Sequence, residues 1–587
     1  KDPADLYTRM AYVRENHWKL THLLNYNQTF YKHDIGMLLG FEEERFVKRT
    51  TDNAKLGLID SSVGDSSSAT TPSSIGGTGE EFTSRSYFGR INYAFDSRYL
   101  FEVNMRYDGS SRFAPDNRWG LFPSFSAGWR ISEERFMKGL PIDNLKLRAS
   151  WGKLGNNAIG NYEWQAVYNS AKYAFGGSLN NGLAITSISN NLLEWESTAI
   201  TNIGIDFATL RNRLTFEAEF YNKVTDGILY RPDMYMSLGT ASGPRQNIAE
   251  VTNRGIEMTL NWQDRIGKVE YRVSGNFAYN QNKVSKYKGE LQRGWVTDEN
   301  GNRVYQTNIG DVSTGGSTRV IEGKMINEYY MLQPYKGSGN GFNADGTVNI
   351  NGGPRDGMIR TVDDMKWLNA MVGAGYKFYP RQNVSKSGIW YGDYIYADLN
   401  GDGVYGNDAD NEFQGCSNVP KYNFGLQASA NWKGFDFSMN WSGAAGFKIY
   451  YYRLALNSSA TIKGYAIGEA IANDHYFFDP KNPNDPRTNL SSKNPRLTNN
   501  SGNDQSGMTQ SSVHLQKGDY IKLKNLTIGY TLPAVLSKKV YAQNIRFFAS
   551  GENLFTITGY EGMDPEMRTA VGYSTMRQYA FGVNITF

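Results

Sequence analysis

The chain is 587 residues long, and its 39 Tyr, 30 Phe and 12 Trp make 14% of it while hydrophobic residues together reach only 40%, so apolar surface comes as rings spread through polar sequence. No stretch approaches the ~18 to 20 consecutive apolar residues of a membrane helix, which excludes a helical membrane protein, and no amino-terminal apolar segment resembles a signal peptide. A formal charge of +4, from 62 basic and 58 acidic residues, is too balanced for the electrostatic footprint of a nucleic-acid binder. The chain begins at Lys1 without a Met, as an internal or processed piece would, and its single cysteine, Cys416, cannot form an intrachain disulfide.

Taken in chain order, the elements read as strands, because the recurring hydrophobic period is two rather than 3.6. Leu145, Leu147, Ala149 and Trp151 alternate with Lys146, Arg148, Ser150 and Gly152. Leu214, Phe216, Ala218 and Phe220 alternate with Thr215, Glu217, Glu219 and Tyr221; Ile256, Met258, Leu260 and Trp262 alternate with Glu257, Thr259, Asn261 and Gln263. Tyr271, Val273, Phe277 and Tyr279 oppose Arg272, Ser274, Asn276 and Ala278. The chain ends on Tyr579, Phe581, Val583, Ile585 and Phe587 against Ala580, Gly582, Asn584 and Thr586. Each strand therefore has an apolar and a polar face. Phe216, Phe220, Trp262, Trp151 and Phe581 are expected to face lipid, and Glu217, Glu219, Arg148 and Arg272 the lumen of a barrel.

About fifteen such segments of roughly 10 to 14 residues are expected, a length that suits tilted membrane-crossing strands better than soluble ones. Short turns fall near 32–34, 96–97, 211–212, 264–267 and 433–434, and long loops rich in Gly, Ser and Asn occupy 47–83, 155–196, 225–250, 283–418 and 447–517. This alternation is what an antiparallel barrel yields when one rim faces the periplasm and the other the outside. Neither proline-rich linkers nor a fixed blade repeat supports the alternatives, a row of sandwiches or a propeller. Lipid cannot hydrogen-bond a strand edge, so the ring must close. An even strand count with both termini inside then calls for an odd number of strands upstream. The fold class is an all-β transmembrane antiparallel barrel with long extracellular loops, of which residues 1–587 are the carboxy-terminal part.

Several segments carry a resemblance. They are the run from Phe113 to Ser124 (FAPDNRWGLFPS) with Gly128-Trp-Arg, Asn144 to Gly152 (NLKLRASWG), and Val251 to Glu257 (VTNRGIE). Asp398 to Gly403 (DLNGDG), Gly551 to Phe555 (GENLF), Gly559 to Glu566 (GYEGMDPE) and the closing Asn584-Ile-Thr-Phe complete the set. In this order the chain resembles the SusC/RagA class of TonB-dependent outer-membrane transporters of Bacteroidetes, from about Leu20 to Phe587. The resemblance implies a 22-strand barrel with an amino-terminal plug, a TonB-contacting segment and a SusD-like lipoprotein lid. Plug and first strands are absent from this chain, and subtracting about fifteen strands leaves about seven, an odd number as the topology requires. It also implies that the terminal Phe587 is read by the outer-membrane assembly machinery.

The sharpest local signal is the loop Asp398, Asn400, Asp402, Gly403, Val404. It places oxygens at positions 1, 3 and 5, glycine at 6 and a backbone carbonyl at 7, the first half of an EF-hand-type calcium loop. Position 12 is Ala409, so the closing carboxylate must come from Asp408 or Asp410. The other reading is a turn-rich loop whose Asp and Asn side chains cap their own backbone. The second signal is the loop aromatics Tyr162, Trp164, Trp195, Trp367, Trp390, Tyr391 and the run 450–452. Exposed, such rings stack on a sugar or peptide face; otherwise they form the interfacial girdle or pin loops together.

Catalysis finds no support. His17, His22, His33, His475 and His514 are scattered, Gly323-Lys324 is followed by Met325 where a phosphate loop needs Ser or Thr, and no nucleophile elbow stands at a strand-to-helix turn. Two function classes remain: an energised importer of large nutrients, or a non-transporting adhesive or structural barrel. The resemblance favours TonB-driven import with oligosaccharides as the default cargo and oligopeptides as the alternative, without a bound organic cofactor. Loops 155–196, 283–418 and 447–517 are far longer than ordinary connections. They are read as too polar to fold alone and as the seat of the lipoprotein.

Overall fold

The computed structural model describes residues 6–58, 62, 64–230, 245–287, 293–297, 303–307, 318–319, 322–379, 383–407, 410–451, 469–497, 511–569, 573 and 575–587. Fifteen strands, hydrogen-bonded in chain order, make one sheet. They are β1 (Tyr7–Phe30), β2 (His33–Leu58), β3 (Ala69–Phe95), β4 (Tyr99–Ser110), β5 (Trp119–Arg130), β6 (Ile142–Asn156), β7 (Glu196–Thr209) and β8 (Leu214–Tyr230). β9 (Gln246–Ile266), β10 (Val269–Tyr287), β11 (Tyr422–Trp432), β12 (Phe435–Ala445), β13 (Tyr520–Thr531), β14 (Asn544–Thr558) and β15 (Gln578–Thr586) complete it. The strand number expected from the alternation is met. No described helix is long and apolar enough to cross a membrane.

Two compact units divide the chain, Lys1–Phe207 with Glu219–Thr252, and Ala208–Ala218 with Asn253–Phe587. In the first, β1 to β6 pair antiparallel with their neighbours. Their outward rings form two bands. Phe41, Tyr87, Trp119 and Tyr107 touch in series at 4.8 to 6.2 Å between centroids, and His33, Phe95 and Tyr99 do so at 5.0 and 6.4 Å near the opposite end. Between the bands lie exposed Met37, Leu39, Ile91, Phe101, Met105 and Phe125. Tyr99 to Tyr107 on β4 spans nine residues, the ~9 to 11 that a tilted membrane strand needs. Trp151 and Phe220 are exposed on the apolar side, while Arg148 and Glu219 pair on the other.

Strand lengths depart from the expected 10 to 14. β1, β2 and β3 run 24, 26 and 27 residues. The stretch 47–83, expected to be one long loop, is mostly strand: β2 continues to Leu58 and β3 starts at Ala69, paired throughout with one register shift at Ala54/Lys55 opposite Pro72. Both faces of this ribbon are polar, so the hydrophobic alternation that marks a strand is missing although the ladder is intact.

In the second unit β10 to β15 pair antiparallel, and Trp262 Nε1 donates to Tyr271 Oη while Arg272 Nη2 donates to Gln263 Oε1, each within its own stripe. The two-residue turn at Lys433 and Gly434 uses positive φ at both positions (46° and 89°), the geometry that a tight hairpin demands. The connections 283–418 and 447–517, expected to be too polar to fold alone, share an apolar core. Met358, Ile359, Trp367, Leu368 and Met371 are wholly buried there, with Phe378, Tyr396 and Tyr476 at 1% exposure. Helix α1 (Val362–Gly373) supplies three of these side chains. It starts at a capping box in which Thr361 Oγ1 accepts the Asp364 N–H and Asp364 Oδ2 accepts the Thr361 N–H.

Candidate functional site

On the polar face of the first unit, small residues at matching register positions hollow the wall. Gly36, Ala94, Ser126, Gly128 and Ser150 line a cavity of about 720 Å³ together with Glu102, Lys146 and Arg148. Arg148 is held by two carboxylates. Its Nε lies 3.0 Å from Asp206 Oδ1, it also pairs with Glu219, and Lys146 Nζ adds a 3.5 Å contact to Asp206. The hollow thus sets small residues beside balanced charges, an arrangement suited to a protein surface or hydrated cargo rather than to lipid.

The Asp398 loop in the second unit folds as its spacing suggests. Asp398 accepts the N–H groups of Gly401 at 2.6 Å and Gly403 at 2.9 Å, and Asp402 Oδ1 accepts that of Val404 at 2.8 Å. Asn400 Nδ2 donates to Asp402 Oδ2 at 2.8 Å, so positions 1, 3 and 5 are drawn together. Gly401 and Gly403 sit at φ of 72° and 78°, where a side chain is strained. Asp410 does something the spacing did not announce. Fully buried, it accepts N–H bonds from Leu399, Asn400, Gly406 and Asn407 at 2.6 to 3.3 Å and staples both ends of the loop. Its carboxylate is thereby spent on backbone rather than open to a cation, and burial pushes its pKa up to about 6. Asp408 lies outside the described residues. Among the described residues no three His, Cys, Asp or Glu side chains converge at metal distance; a calcium ion would draw on Asp398, Asn400, Asp402 and the Val404 carbonyl.

The loop aromatics separate by burial. Trp367 is wholly enclosed, with Nε1 donating to the Asn349 carbonyl at 2.8 Å, and Tyr391 is 6% exposed against Phe478. Both expectations of a cargo platform are corrected here: a ring with no free face cannot stack on a ligand. Trp195 packs tilted against Phe113 and edge-to-face against Phe122 and donates to the Arg118 carbonyl, which makes it the pin of a small cluster with Ile159 and Leu193. Trp164 and Trp390 are half-buried, and of the run 450–452, Tyr450 is buried and residue 452 is not described.

The sequence reading missed two features. Asn340, Phe342, Arg355, Asp356 and Asp363 line a cleft of about 760 Å³ at the start of α1, and Phe342, 44% exposed, is its open ring. A hairpin, Val167–Phe175 paired with Ser178–Ser187, stands in the connection 155–196. Val167, Tyr168, Tyr173, Phe175, Leu179, Leu183 and Ile185 on it are 48 to 75% exposed. Period-two apolar spacing between Tyr168 and Ile185 was the available signal.

Lys522 on β13 is 2% exposed and bonds Asp564 at 2.7 Å and Glu566 at 2.8 Å, while Lys524 bonds Glu566 at 2.6 Å. Burial acts to raise both carboxyl groups, but the lysine ammonium groups hold them below the ordinary carboxylate range. The GYEGMDPE segment is thus clamped to the wall, with Tyr560 buried beside Phe447 and Ile449.

Comparisons with known proteins agree with this architecture. A family model described as "TonB dependent receptor-like, beta-barrel" matches residues 3–554. A TonB-dependent receptor of Formosa agariphila is 30% identical over 601 residues, covering 96% of this chain and 52% of that protein. The TonB-dependent receptor SusC of Bacteroides thetaiotaomicron is 28% identical over 517 residues, covering 86% and 43%. Among solved structures, "Structure of the RagAB peptide transporter" superposes with a TM-score of 0.75 at 21% identity, over 99% of this chain and 56% of that one. The chain spans about half the length of the curated relatives it matches.

Proposed function

Because the chain belongs to the family of TonB-dependent receptor-like β-barrels, we propose that it forms the carboxy-terminal wall and outer loops of an outer-membrane importer of large nutrients, driven through TonB and covered by a SusD-like lipoprotein. The observation that carries this is the division of labour along the chain. Girdled apolar strands alternate with charged inner positions, and the long connections fold into a module with its own core and cleft. A porin needs the first but not the second. In a closed barrel of this family further strands would pair with β1 and β15, and a plug would sit against the small-residue hollow beside Arg148. The long connections face outward.

The hairpin 167–187 supports the lipoprotein partner. An isolated two-stranded hairpin is marginal in water, and this one exposes large apolar side chains on both faces, so a protein surface must complete it. For cargo, the Phe342 ring beside Arg355, Asp356 and Asp363 offers a stacking face within a hydrogen-bonding rim, the chemistry of an oligosaccharide site. An oligopeptide is the second reading, favoured by the superposition on a structure titled as a peptide transporter. Calcium at Asp398, Asn400, Asp402, the Val404 carbonyl and Asp408 would stiffen this loop of the module. Growth and uptake tests of a deletion strain, complemented with the whole gene, distinguish the cargo classes. Loss of growth on glycans alone is expected, and loss on peptides alone would replace the first reading by the second.

A further inference from the structure

Between β13 and β14 the chain takes residues 532–543, whereas two residues join β11 to β12. A hairpin closes with two, so the longer connection is present for something else. Leu532 still extends the ladder, its N–H donating to the Ile545 carbonyl at 2.9 Å. Pro533 then opens a helical turn, Ala534–Ser537, followed by a tighter one, Lys538–Val540. Ser537 and Ala542 are buried, and the Ala542 N–H donates to the Ser537 carbonyl at 3.1 Å, so the connection is folded rather than loose. Yet Val535, Leu536, Val540 and Tyr541 on it are 48 to 91% exposed. Tyr541 stands at φ of 58°, a conformation that glycine adopts at less cost. A bulky ring is thus held outward against backbone strain, which is explained if the ring has a use.

Its position says which. The wall ends before this connection in one cross-strand row, Phe435 opposite Tyr530 and Tyr530 opposite Phe547. The Phe435 and Tyr530 centroids are 4.5 Å apart, Trp432 lies 6.2 Å from Phe435, and Lys433 Nζ sits over the Trp432 ring at 5.5 Å. A row of rings with a lysine at its edge marks a membrane–water border, and the pair Arg546–Asp436 lies on the opposite face. Ile545 stands two residues beyond Phe547 on the ring side, about 7 Å along the strand. It is 9% exposed where Phe547 is 47%, and Ala534–Ser537 packs against β14. The connection therefore folds over the membrane side of the wall, within the ~5 to 10 Å in which an interfacial segment lies. Residues 532–543 hold two exposed lysines, Lys538 and Lys539, and no carboxylate. Apolar side chains beside lysines whose stems reach past them to water suit a lipid interface. We propose that residues 533–541 are an interfacial anchor, in which Val535, Leu536, Val540 and Tyr541 insert into the phospholipid leaflet at the short-turn rim and fix the depth of the wall. This rests on the reading of the chain as the wall of an outer-membrane barrel.

The test uses the full-length transporter in phospholipid nanodiscs, with Cys416→Ser as background and a nitroxide label on one introduced cysteine at a time. Power saturation compares collisions with oxygen, which partitions into lipid, and with a water-soluble nickel chelate. Labels at Val535→Cys and Val540→Cys are expected to favour oxygen several-fold, as a label at Ile528→Cys on the outward face of β13 does, while one at Arg265→Cys in the turn between β9 and β10 favours nickel. Nickel-favouring labels at 535 and 540 with an oxygen-favouring label at 528 would overturn the anchor and leave the barrel reading standing. A nickel-favouring label at 528 as well would overturn the barrel reading itself. Shielding of 535 and 540 from both probes would show that protein covers the connection, and the anchor would again be wrong. Tyr541→Asn, which keeps the left-handed turn, is expected to unfold with the wild type in detergent and several degrees below it in nanodiscs; equal shifts in the two media would overturn the part given to the ring.

Discussion

Lys522 illustrates how much one buried cation can carry. With Asp564 and Glu566 around it, Lys524 on Glu566 and almost no solvent, two cations balance two carboxylates only as long as all four are present. Removing one partner of a buried pair leaves an uncompensated charge, at a cost of about 3 to 5 kcal/mol. Lys522→Met should therefore lower the unfolding midpoint and free the 559–566 segment to proteases, and adding Asp564→Asn should recover part of the loss. Asp410 makes the opposite statement. Its pKa in the folded chain, about 6 against an ordinary 3.8, means that the folded state holds the proton more tightly. The stability it contributes is complete below about pH 4 and is lost as pH rises through 6, at most about 3 kcal/mol. Protease resistance of the 398–410 loop is expected to fall between about pH 4 and 6 in the wild type and to lose that slope in Asp410→Asn. The DLNGDG spacing announced the turn, but the staple was not legible: a carboxylate eight residues past Asp402 finds its four backbone donors only once the chain has folded back.

At the scale of elements, the alternating strands such as Leu214 to Tyr221 and Tyr271 to Ala278 were legible because one face meets an apolar phase and the other does not. The paired stretches of β2 and β3 around Leu58 and Ala69 were not, since TTDNAKLGL and ATTPSSIGGTG put polar residues on both faces and carry no period. The loops failed for a related reason. Trp367, Tyr391 and Tyr476 are scattered over more than a hundred residues, so the core they build is a product of tertiary contact and leaves no local pattern. The hairpin 167–187 gives the prediction proper to this scale. Replacing it by a short Gly-Ser link should leave the barrel assembled and heat-modifiable but abolish stoichiometric co-purification of the proposed SusD-like lipoprotein; an intact complex would show that the hairpin's exposed rings serve something else. At the other end of the chain, deleting Phe587, which is 79% exposed, is expected to reduce assembled barrel in the outer membrane.

For the molecule as a whole, the wall strands were legible one by one from period and turn spacing, and the order of seven short motifs joined them to one family. The division into wall and folded loop module was not legible, because it depends on which connections share a core. If the chain is the wall of a TonB-driven importer, its own residues supply passage, girdle and outer module, and the energy comes from a partner acting on the part upstream. Uptake of a fluorescent oligosaccharide or oligopeptide by cells carrying the whole gene, with and without tonB, tests this most directly. The account predicts accumulation that disappears both on deletion of tonB and on collapse of the proton gradient, while binding to the cell surface persists. Equal accumulation without TonB would contradict it and make the barrel a passive pore; surface binding with no accumulation in either strain would make it an adhesin.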